Sequence, residues 1–349
     1  MTSEHPTARL DIDLNALLHN YRVLQRQCPG AEVAPVVKAD AYGLGMAAVA
    51  PYLAKHGART FFVARLNEGI ALRRSLSDAV IYVLDGLASD PQAFAVHGLR
   101  PVLNSAEHYR LWLDGPDTVQ AALHIDTGMN RLGVRPEDVA ALPKTRPLSL
   151  VMSHLACGDE RDHPMNARQF AAFRAAAAAF AAPKSLANSA GAFLGPDYRF
   201  DLIRPGISLY GGGPFGVAHP DIRPVARLTA RVMQVRPLPP QETVGYGASF
   251  TAQAPMTLAT LGIGYADGLL RSFAQTGFVT LAGERRRLTG RVSMDLCSVD
   301  AGGLDVRPGD EAEILGPAQN LDEVAAASGT IGYEWLTRIG PRIPRHYRS

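Results

Sequence analysis

The chain has 349 residues, of which 47% are hydrophobic and 19% are charged, and its formal net charge at pH 7 is +2. This length exceeds one average domain and suits a barrel of ~250 residues with a smaller second domain. The near-neutral charge argues against nucleic-acid binding. The one basic tract, Arg285–Arg287, follows Gly283 and Glu284 and is interpreted as a solvated turn.

No sequence signal points to export or to a membrane. The first residues are polar and lack the apolar core of a signal peptide. No uncharged apolar run reaches the ~18 residues that a membrane span needs. The cysteines Cys28, Cys157 and Cys297 are widely spaced and form neither a metal motif nor a disulfide framework. The sequence therefore predicts a cytoplasmic protein without a metal site and without nucleic-acid or membrane partners.

The first half of the chain predicts alternating strands and helices. Arg9–Ile12 is a short strand that could pair with a later β-rich region, and Asn15–Gln27 is the first helix. Eight apolar runs follow: Val33–Val37, Thr60–Ala64, Val80–Leu84, Pro101–Asn104, Ala121–Ile125, Leu148–His154, Ser185–Ala187 and Leu202–Arg204. Segments with helical periodicity separate them, including Met46–His56, Asn67–Leu76 and Asn166–Ala182. This order favours a parallel (β/α)₈ barrel in an α/β protein. An open doubly wound sheet is the alternative, but no GxGxxG follows the first strand.

After about residue 222 the pattern changes to short β-like runs. Val225–Val235 partly alternates, and Pro237, Pro239 and Pro240 are predicted to break the chain. The later runs are Thr257–Ile263, Phe278–Leu281, Arg291–Val299 and Ala312–Leu315. We therefore predict a barrel domain over residues 1–222, of which residues 1–12 could join the other domain, and an all-β domain over residues 223–349.

Lys38 is the first candidate for chemistry. It follows an apolar strand and precedes a Gly-bracketed turn, so a barrel would place it at the C-terminal mouth. An apolar setting lowers the pKa of a lysine and suits Schiff-base formation. Tyr42 could reach an anion in the same mouth. Taken alone, Lys38 fits equally well a strand-end lysine that extends to water.

A second group of candidates could bind a phosphate. Arg204 ends another apolar strand, and the amides of Gly206 and Ile207 follow it in a Pro-Gly turn. Ser189 ends the preceding strand and offers a hydroxyl. The alternatives are a surface salt bridge for Arg204 and an ordinary helix cap for Ser189.

Three further side chains stand at marked positions. His154 ends the sixth apolar run, where a buried structural histidine and a functional one are equally consistent with the pattern. Tyr246 and Tyr265 each lie among glycines in the β-rich half. A turn tyrosine that packs on the sheet is the simpler interpretation of either motif alone.

Together these motifs resemble the alanine racemase family, the fold-type III enzymes that use pyridoxal 5′-phosphate (PLP). The resemblance covers nearly the whole chain and follows one order: Val36–Gly43, Ile125–Gly133, Ser153–His154, Ala187–Ser189, Ile203–Ile207, Val244–Gly247, Gly264–Gly268 and Gly290–Asp295. It implies racemisation of L- and D-alanine, with D-alanine supplied to peptidoglycan. It also implies a head-to-tail homodimer with shared active sites.

The resemblance further implies roles for individual residues. Lys38 is similar to the lysine that binds PLP and acts as one base, and Tyr246 of the other subunit to the second base. Arg204 resembles the arginine that faces the pyridine nitrogen, and His154 the residue that links it to the tyrosine. The implied phosphate cup is Tyr42, Ser189, Gly206, Ile207 and Tyr333. The implied substrate residues are Arg131, Met294 and Tyr265, with Arg271 and Arg291 along the entry corridor.

Two positions depart from the family pattern. His124 stands where many relatives carry a carbamylated lysine that holds the arginine corresponding to Arg131, so what orients Arg131 is left open. Leu44 replaces a frequent histidine, with little expected consequence.

Three other functions compete with racemisation of alanine. A racemase of serine, lysine or arginine would keep the same site with a wider pocket. A PLP-dependent decarboxylase of basic amino acids is disfavoured by Arg204 and Tyr246. A non-enzymatic PLP-binding protein would lack the β-rich domain and the second tyrosine.

Overall fold

The structure is a computed structural model that describes residues 6–87 and 91–349. The chain divides into two compact units. The barrel unit is Leu18–Leu209, and the β-rich unit combines the N-terminal segment up to Leu17 with Tyr210–Ser349. The domain boundary near residue 222 stays a prediction.

The elements follow in chain order. The strands are β1 (Ala8–Asp13), β2 (Glu32–Val33), β3 (Thr60–Val63), β4 (Val80–Val83), β5 (Arg100–Leu103), β6 (Ala122–His124), β7 (Leu150–Met152), β8 (Lys184–Ser185), β9 (Leu202–Ile203), β10 (Ala226–Leu238), β11 (Thr243–Val244), β12 (Phe250–Thr251), β13 (Met256–Leu261), β14 (Phe278–Leu281), β15 (Glu284–Arg287), β16 (Cys297–Asp300), β17 (Glu311–Leu315) and β18 (Arg345–Arg348). The helices are α1 (Leu14–Gln27), α2 (Lys38–Tyr42, a single left-handed turn), α3 (Met46–Lys55), α4 (Leu66–Ser75), α5 (Pro91–His97), α6 (Ala106–Asp114), α7 (Pro164–Ala177), α8 (Gly191–Leu194), α9 (Phe273–Thr276), α10 (Leu321–Ala327) and α11 (Gly332–Thr337).

The barrel unit is a closed ring of parallel strands. Strands β3 to β8 pair in chain order, and β2 pairs with β9. Two backbone bonds complete the circle. The N–H of Phe62 donates to Pro35 at 3.0 Å, and the N–H of Arg204 donates to Ala187 at 2.9 Å. Strands such as β3 are buried at every residue, as expected for strands covered on both faces. The predicted (β/α)₈ barrel is confirmed.

The β-rich unit is built on an eight-stranded sheet with the main order β15-β14-β17-β10-β1-β18, and β13 and β16 extend it from β10. The N-terminal strand belongs here, because β1 pairs antiparallel with β10 and parallel with β18. This unit also contains the short helices α9 to α11, which the β-like pattern did not indicate.

Three local predictions for this unit were wrong. Pro237 does not break the chain, because β10 continues to Leu238 and pairs Pro237 with Thr257 of β13. Arg285–Arg287 lies in β15 rather than in a turn, and two of its guanidinium groups lie 5.2 Å from the ring centre of Phe278. The turn sits at Ala282 and Gly283, whose positive φ angles of 50° and 82° suit a tight hairpin. Of the predicted run Arg291–Val299, only Cys297–Val299 lies in a strand.

Among the described residues, no helix is both long enough and apolar enough to cross a bilayer.

Candidate active site

Lys38 lies five residues after the end of β2, and the segment between them continues along β3 through a bridge between Val36 and Phe62. The residue before Lys38, Val37, donates its N–H to Phe62 at 2.8 Å, which ties this segment to β3. Burial lowers the pKa of Lys38, and the nearby cation of Arg131 lowers it further, whereas Glu68 and Asp85 act in the opposite direction. The structure therefore gives Lys38 the lowered pKa that the sequence predicted.

The chain leaves Lys38 in a left-handed turn. Ala39, Asp40, Ala41 and Tyr42 have φ angles between 52° and 57°, a region that costs roughly 1–2 kcal/mol for each non-glycine residue. Hydrogen bonds hold this conformation. Asp40 accepts from Gly45 through its carbonyl at 2.8 Å and from the N–H of Met46 through Oδ1 at 2.7 Å. Strained backbone of this kind concentrates at functional sites, where the surrounding structure fixes it.

Arg204 is a buried cation that follows β9 directly. It donates to the hydroxyl of Ser185 and, at 2.6 Å, to the carbonyl of Ser153. Burial lowers the pKa of Arg204 to about 9, so the group stays charged at neutral pH. One Nη also lies 3.4 Å from Nδ1 of His154. Arginine has no acceptor, so Nδ1 must be the unprotonated nitrogen of a neutral His154.

The charges around His154 agree with that assignment. Its pKa is held well below the ordinary value, first by burial and then by Arg204, with further contributions from Arg131 and Lys38. The structure therefore brings together Lys38, His154 and Arg204, three of the predicted site residues.

A small polar cradle lies at the end of β9. Ser189 Oγ accepts from the N–H of Gly206 at 3.0 Å and of Ser208 at 3.3 Å. A Cβ on Gly206 would lie 2.0 Å from Tyr42 Oη, so only glycine leaves room for this phenol. Within the described residues, the buried N–H of Ile207 makes no hydrogen bond. The cradle thus offers a serine hydroxyl, a tyrosine and an open amide donor to an anion, which fits a phosphate group.

His124 is held in one tautomer. Asn104 donates through Nδ2 to the carbonyl of Leu84 at 2.8 Å, so its Oδ1 faces Nδ1 of His124 at 2.9 Å. Nδ1 must then carry the proton, and Nε2 is left as an acceptor. Burial, followed by the charge of Arg204, lowers the pKa of His124 to about 4. His124 is therefore neutral at physiological pH.

The loop that carries Arg131 is anchored beside this pair. The N–H of Gly133 donates to the backbone carbonyl of Asn104 at 3.0 Å, and the N–H of Val134 donates to the backbone carbonyl of His124 at 2.8 Å. At the start of the loop, Asp126 Oδ1 accepts from three successive backbone N–H groups, those of residues 128 to 130. Arg131 itself is exposed.

The remaining predicted residues lie in the β-rich unit and are exposed there. Tyr246 is 71% exposed and follows Gly245, whose φ is 73°. The segments of Tyr265 and Met294 are bonded together, because the N–H of Ala266 donates to Met294 at 2.9 Å. Tyr333 lies in α11 and is also exposed.

Sequence reasoning missed the residues that support the site. Ser153, Ser185, Asn104 and Glu68 contact the candidate residues or their backbone. The one signal available for them was position, since Asn104 ends a predicted strand and Ser185 begins one. Small polar residues at strand ends are too common to single these out.

The barrel unit therefore presents the groups that PLP would need: an amine of lowered pKa, a buried arginine and an anion cradle. The β-rich unit presents a tyrosine on its surface.

Comparison with known proteins agrees with this geometry. Residues 12–214 match the model of the alanine racemase N-terminal domain, and residues 225–347 match that of the C-terminal domain. The chain belongs to the alanine racemase family. It is 47% identical to an alanine racemase of Jannaschia sp. (strain CCS1), over 97% of this chain and 98% of the relative. It is 44% identical to a catabolic alanine racemase of Agrobacterium fabrum, over 98% and 92%.

Solved structures of family members give the same result. The alanine racemase of Bartonella henselae, which contains covalently bound pyridoxal phosphate, is 38% identical with a TM-score of 0.92 over 99% of this chain and all of that one. The biosynthetic enzyme of Pseudomonas aeruginosa is 36% identical, also with a TM-score of 0.92, over 99% of this chain and 100% of that one. The predicted family and cofactor are confirmed.

The structure also brings together a group that the sequence did not indicate. Ligand atoms of Cys157, Glu160 and His163 lie within 4.8 Å of one another. Nδ1 of His163, however, accepts from the N–H of Met165 at 3.1 Å at the start of α7. A neutral imidazole that accepts through Nδ1 carries its proton on Nε2, so this cap leaves the ring without a lone pair for a metal.

Proposed function

We propose that this protein interconverts L- and D-alanine with PLP bound to Lys38, and that Lys38 and Tyr246 of the partner subunit are the two bases. The observation that carries the proposal is the lysine of lowered pKa at the barrel mouth, in the same unit as the buried Arg204 and the anion cradle. Bound PLP supplies an electron-withdrawing ring that acidifies the Cα–H bond of the substrate.

The residues of this chain supply proton transfer on two faces. Racemisation requires one base on each side of the substrate carbon, and lysine and tyrosine both have ordinary pKa values near ~10. Lys38 Nζ would take the proton from one face, aided by the burial that favours its neutral form. Tyr246 Oη would serve the other face.

Arg204 would control the ring nitrogen of the cofactor. Because a guanidinium only donates and stays charged, it leaves that nitrogen without a proton. Its contacts with Ser153 and Ser185 fix the guanidinium plane. His154 would connect Arg204 to Tyr246, using the nitrogen opposite the one that faces Arg204.

The other residues would bind the two ends of the reacting molecule. We assign the phosphate to Tyr42, Ser189, Gly206, Ile207 and Tyr333. The substrate residues are then Arg131, the backbone amide of Met294 and Tyr265, with Arg271 and Arg291 lining the path from solvent. The loop anchored on Asn104 and His124 would place Arg131 for contact with a carboxylate.

The exposure of Tyr246 supports a shared site in a homodimer. A base must be shielded from water when it acts, and Tyr246 is 71% exposed in the single chain. A two-fold dimer would cover this tyrosine and create two identical sites. We further propose that the enzyme is cytoplasmic and supplies D-alanine for peptidoglycan.

The first test combines a substrate panel with a lysine variant. L-alanine, L-serine, L-lysine and L-arginine would be followed by loss of optical activity, and alanine should react fastest. One methylene alters discrimination by only ~1–3 kcal/mol, so weak turnover of serine is expected. Preferred turnover of lysine or arginine would instead assign a broader racemase, and no turnover at all would favour a PLP-binding protein.

The lysine variant is Lys38→Ala, with Lys55→Ala as the matched control because Lys55 is exposed at the end of α3. Lys38→Ala should lose racemisation and yield no borohydride-fixed PLP peptide, whereas Lys55→Ala should behave as the parent. A fixed adduct on another lysine would place the cofactor elsewhere.

A further inference from the structure

Glu68 lies at a junction between the helix it belongs to and the segment that carries Lys38. It occupies the first turn of α4, three residues after Arg65. Its Oε2 accepts from the N–H of Ala64 at 2.8 Å and of Arg65 at 3.0 Å. The bond from Arg65, the N-cap residue, is that of a capping box, and with the bond from Ala64 it fixes the carboxylate after the end of β3.

The second oxygen makes a bond that a cap does not require. Oε1 of Glu68 accepts from the N–H of Ala39 at 2.7 Å, across 29 residues of sequence. That N–H belongs to the peptide group that joins Lys38 to Ala39. The bond therefore fixes the orientation of the peptide plane directly after Lys38, and with it the direction in which the lysine side chain leaves the backbone.

This peptide also opens the strained turn. The four residues from Ala39 to Tyr42 all have left-handed φ angles, and hydrogen bonds within the segment and from outside it hold this costly conformation. Asp40 bonds within the segment, to Met46. Glu68 is the side chain from a separate element that bonds to the turn at its beginning. Tyr42, at the end of the turn, belongs to the anion cradle. The turn therefore connects Lys38 to the cradle, and its conformation sets the position of both.

The charge of Glu68 acts on the same lysine. Four charged or titratable groups lie around Lys38: Arg131 from the loop after β6, Asp85 after β4, Glu68 from α4 and His154 after β7. Arg131 lowers the pKa of Lys38, whereas Glu68 and then Asp85 raise it. Glu68 raises the pKa of Lys38 more than Asp85 does, and Asp85 also lies 3.8 Å from Nε of Arg65.

We propose that Glu68 is a positioning residue for Lys38: one carboxylate oxygen closes the α4 cap, while the other fixes the Lys38–Ala39 peptide and keeps a negative charge beside the amine. The inference rests on the proposed function, because it takes Lys38 as the base. It adds to that function a residue that touches neither substrate nor cofactor.

The experiment compares Glu68→Gln and Glu68→Ala in the holoenzyme. The glutamine has one oxygen and no charge, so it cannot keep both sets of bonds. Misplacement of a reacting group by about 1 Å can cost roughly 100-fold, so we expect kcat/KM to fall about 10- to 100-fold with most of the loss in kcat. Lys38 Nζ is bonded to PLP in the resting enzyme and is a free amine only once substrate is bound, so its pKa governs the kcat profile. Because the carboxylate raises the pKa of Lys38, its removal should move the acid limb of the kcat profile to lower pH.

A second readout does not depend on activity. Hydrogen exchange of the peptide that contains Ala39 should accelerate at least about tenfold in Glu68→Ala, because the amide loses its acceptor. Ser105→Ala is the control for a lost cap, since Ser105 caps α6 by accepting from the N–H of His108 at 3.1 Å. Glu107→Gln is the control for a lost acid in a first helical turn. Neither control should move the acid limb or the exchange at Ala39.

The outcomes separate this inference from the proposed function. If Glu68→Gln keeps the parental acid limb and Glu68→Ala keeps parental exchange at Ala39, Glu68 is only a helix cap and the inference is overturned. If Lys38→Ala remains active, the proposed function itself falls, whatever Glu68 does. A shifted limb with rapid exchange at Ala39, seen in the Glu68 variants alone, supports the inference.

Discussion

Arg204 in the barrel unit is 4% exposed and donates to the carbonyl of Ser153, whereas Tyr246 in the β-rich unit is 71% exposed. The same contrast separates His124, whose ring is buried against Asn104, from Met294, which is 53% exposed. The barrel unit thus buries Arg204 and His124 and exposes Arg131, whereas the proposed site residues of the β-rich unit all lie on its surface.

This contrast has a physical reason. A buried charge or imidazole must have its partners in the fold, because an unpaired buried polar group costs about 1–3 kcal/mol or more. Residues on a surface need no partner until another surface covers them. We therefore expect variants of the buried barrel residues to act within one subunit, and a variant of Tyr246 to remove the base from the site of the partner subunit.

The largest expected effect is the loss of racemisation when either proposed base is removed, and it tests whether the two bases come from different subunits. Lys38→Ala and Tyr246→Phe should each be nearly inactive, because each removes one proposed base. Equal mixing with subunit exchange should make about half of the dimers hybrids, with one intact site in each. Activity should then return to about a quarter of the parental value, measured as racemisation after exchange.

Exchange itself should be followed with two mass-labelled forms of the subunit. If hybrids form in the expected proportion and activity stays at the level of the single variants, both bases come from one chain. The exposure of Tyr246 would then not indicate a site shared between subunits.

Gly206→Ala is expected to have a smaller effect, a loss of PLP affinity. Gly206 is outside the left-handed region, so an alanine there is not strained by the backbone, but its Cβ would lie 2.0 Å from Tyr42 Oη. The overlap can be relieved by moving the phenol out of the cradle, and because such overpacking costs about 1–3 kcal/mol, we expect PLP affinity to fall by up to roughly 150-fold. Titration of the apoenzyme with PLP measures it.

The matched control is Gly158→Ala in the same unit, where the nearest atoms lie 3.3 Å from the added Cβ. It should leave PLP affinity within about twofold. Equal losses in both variants would show that the barrel mouth is generally sensitive and that the Tyr42–Gly206 contact is not special.

The smallest effect concerns stability and pH. The pKa of His124 is about 4 in the folded chain because of burial and the charge of Arg204, against an ordinary value of 6.5. Between these values the unfolded chain binds a proton that the folded chain does not. Stability should therefore fall as the pH drops from 6.5 towards 4, by at most about 3 kcal/mol from this group.

Urea unfolding of the parent and of His124→Gln at pH 7.5 and 4.5 measures how much unfolding free energy each loses over this interval. The glutamine can still donate to Asn104 but does not titrate, so its stability should fall less over the same interval. Identical losses would mean that His124 is not the titrating group, and His154 would then be the next histidine to replace.

The order of motifs was enough to predict the family, the barrel and the residues that would bind PLP. Apolar runs such as Thr60–Ala64 give strands because a buried parallel strand is apolar on both faces. Lys38 and Arg204 could be singled out because each ends such a run, and the strand ends of a barrel meet at one mouth. These inferences need only local pattern and one rule of topology.

Tertiary structure alone decided which groups support those residues. Glu68 reaches the Ala39 amide across 29 residues, and Asn104 reaches His124 across 20. Arg204 finds the carbonyl of Ser153 across 51. The assignment of β1 to the β-rich sheet and the passage of β10 through Pro237 were likewise set by pairing partners distant in sequence. A hydrogen bond forms only when two groups come within a few ångströms of each other. The order of motifs in the sequence does not show which groups of distant segments come that close.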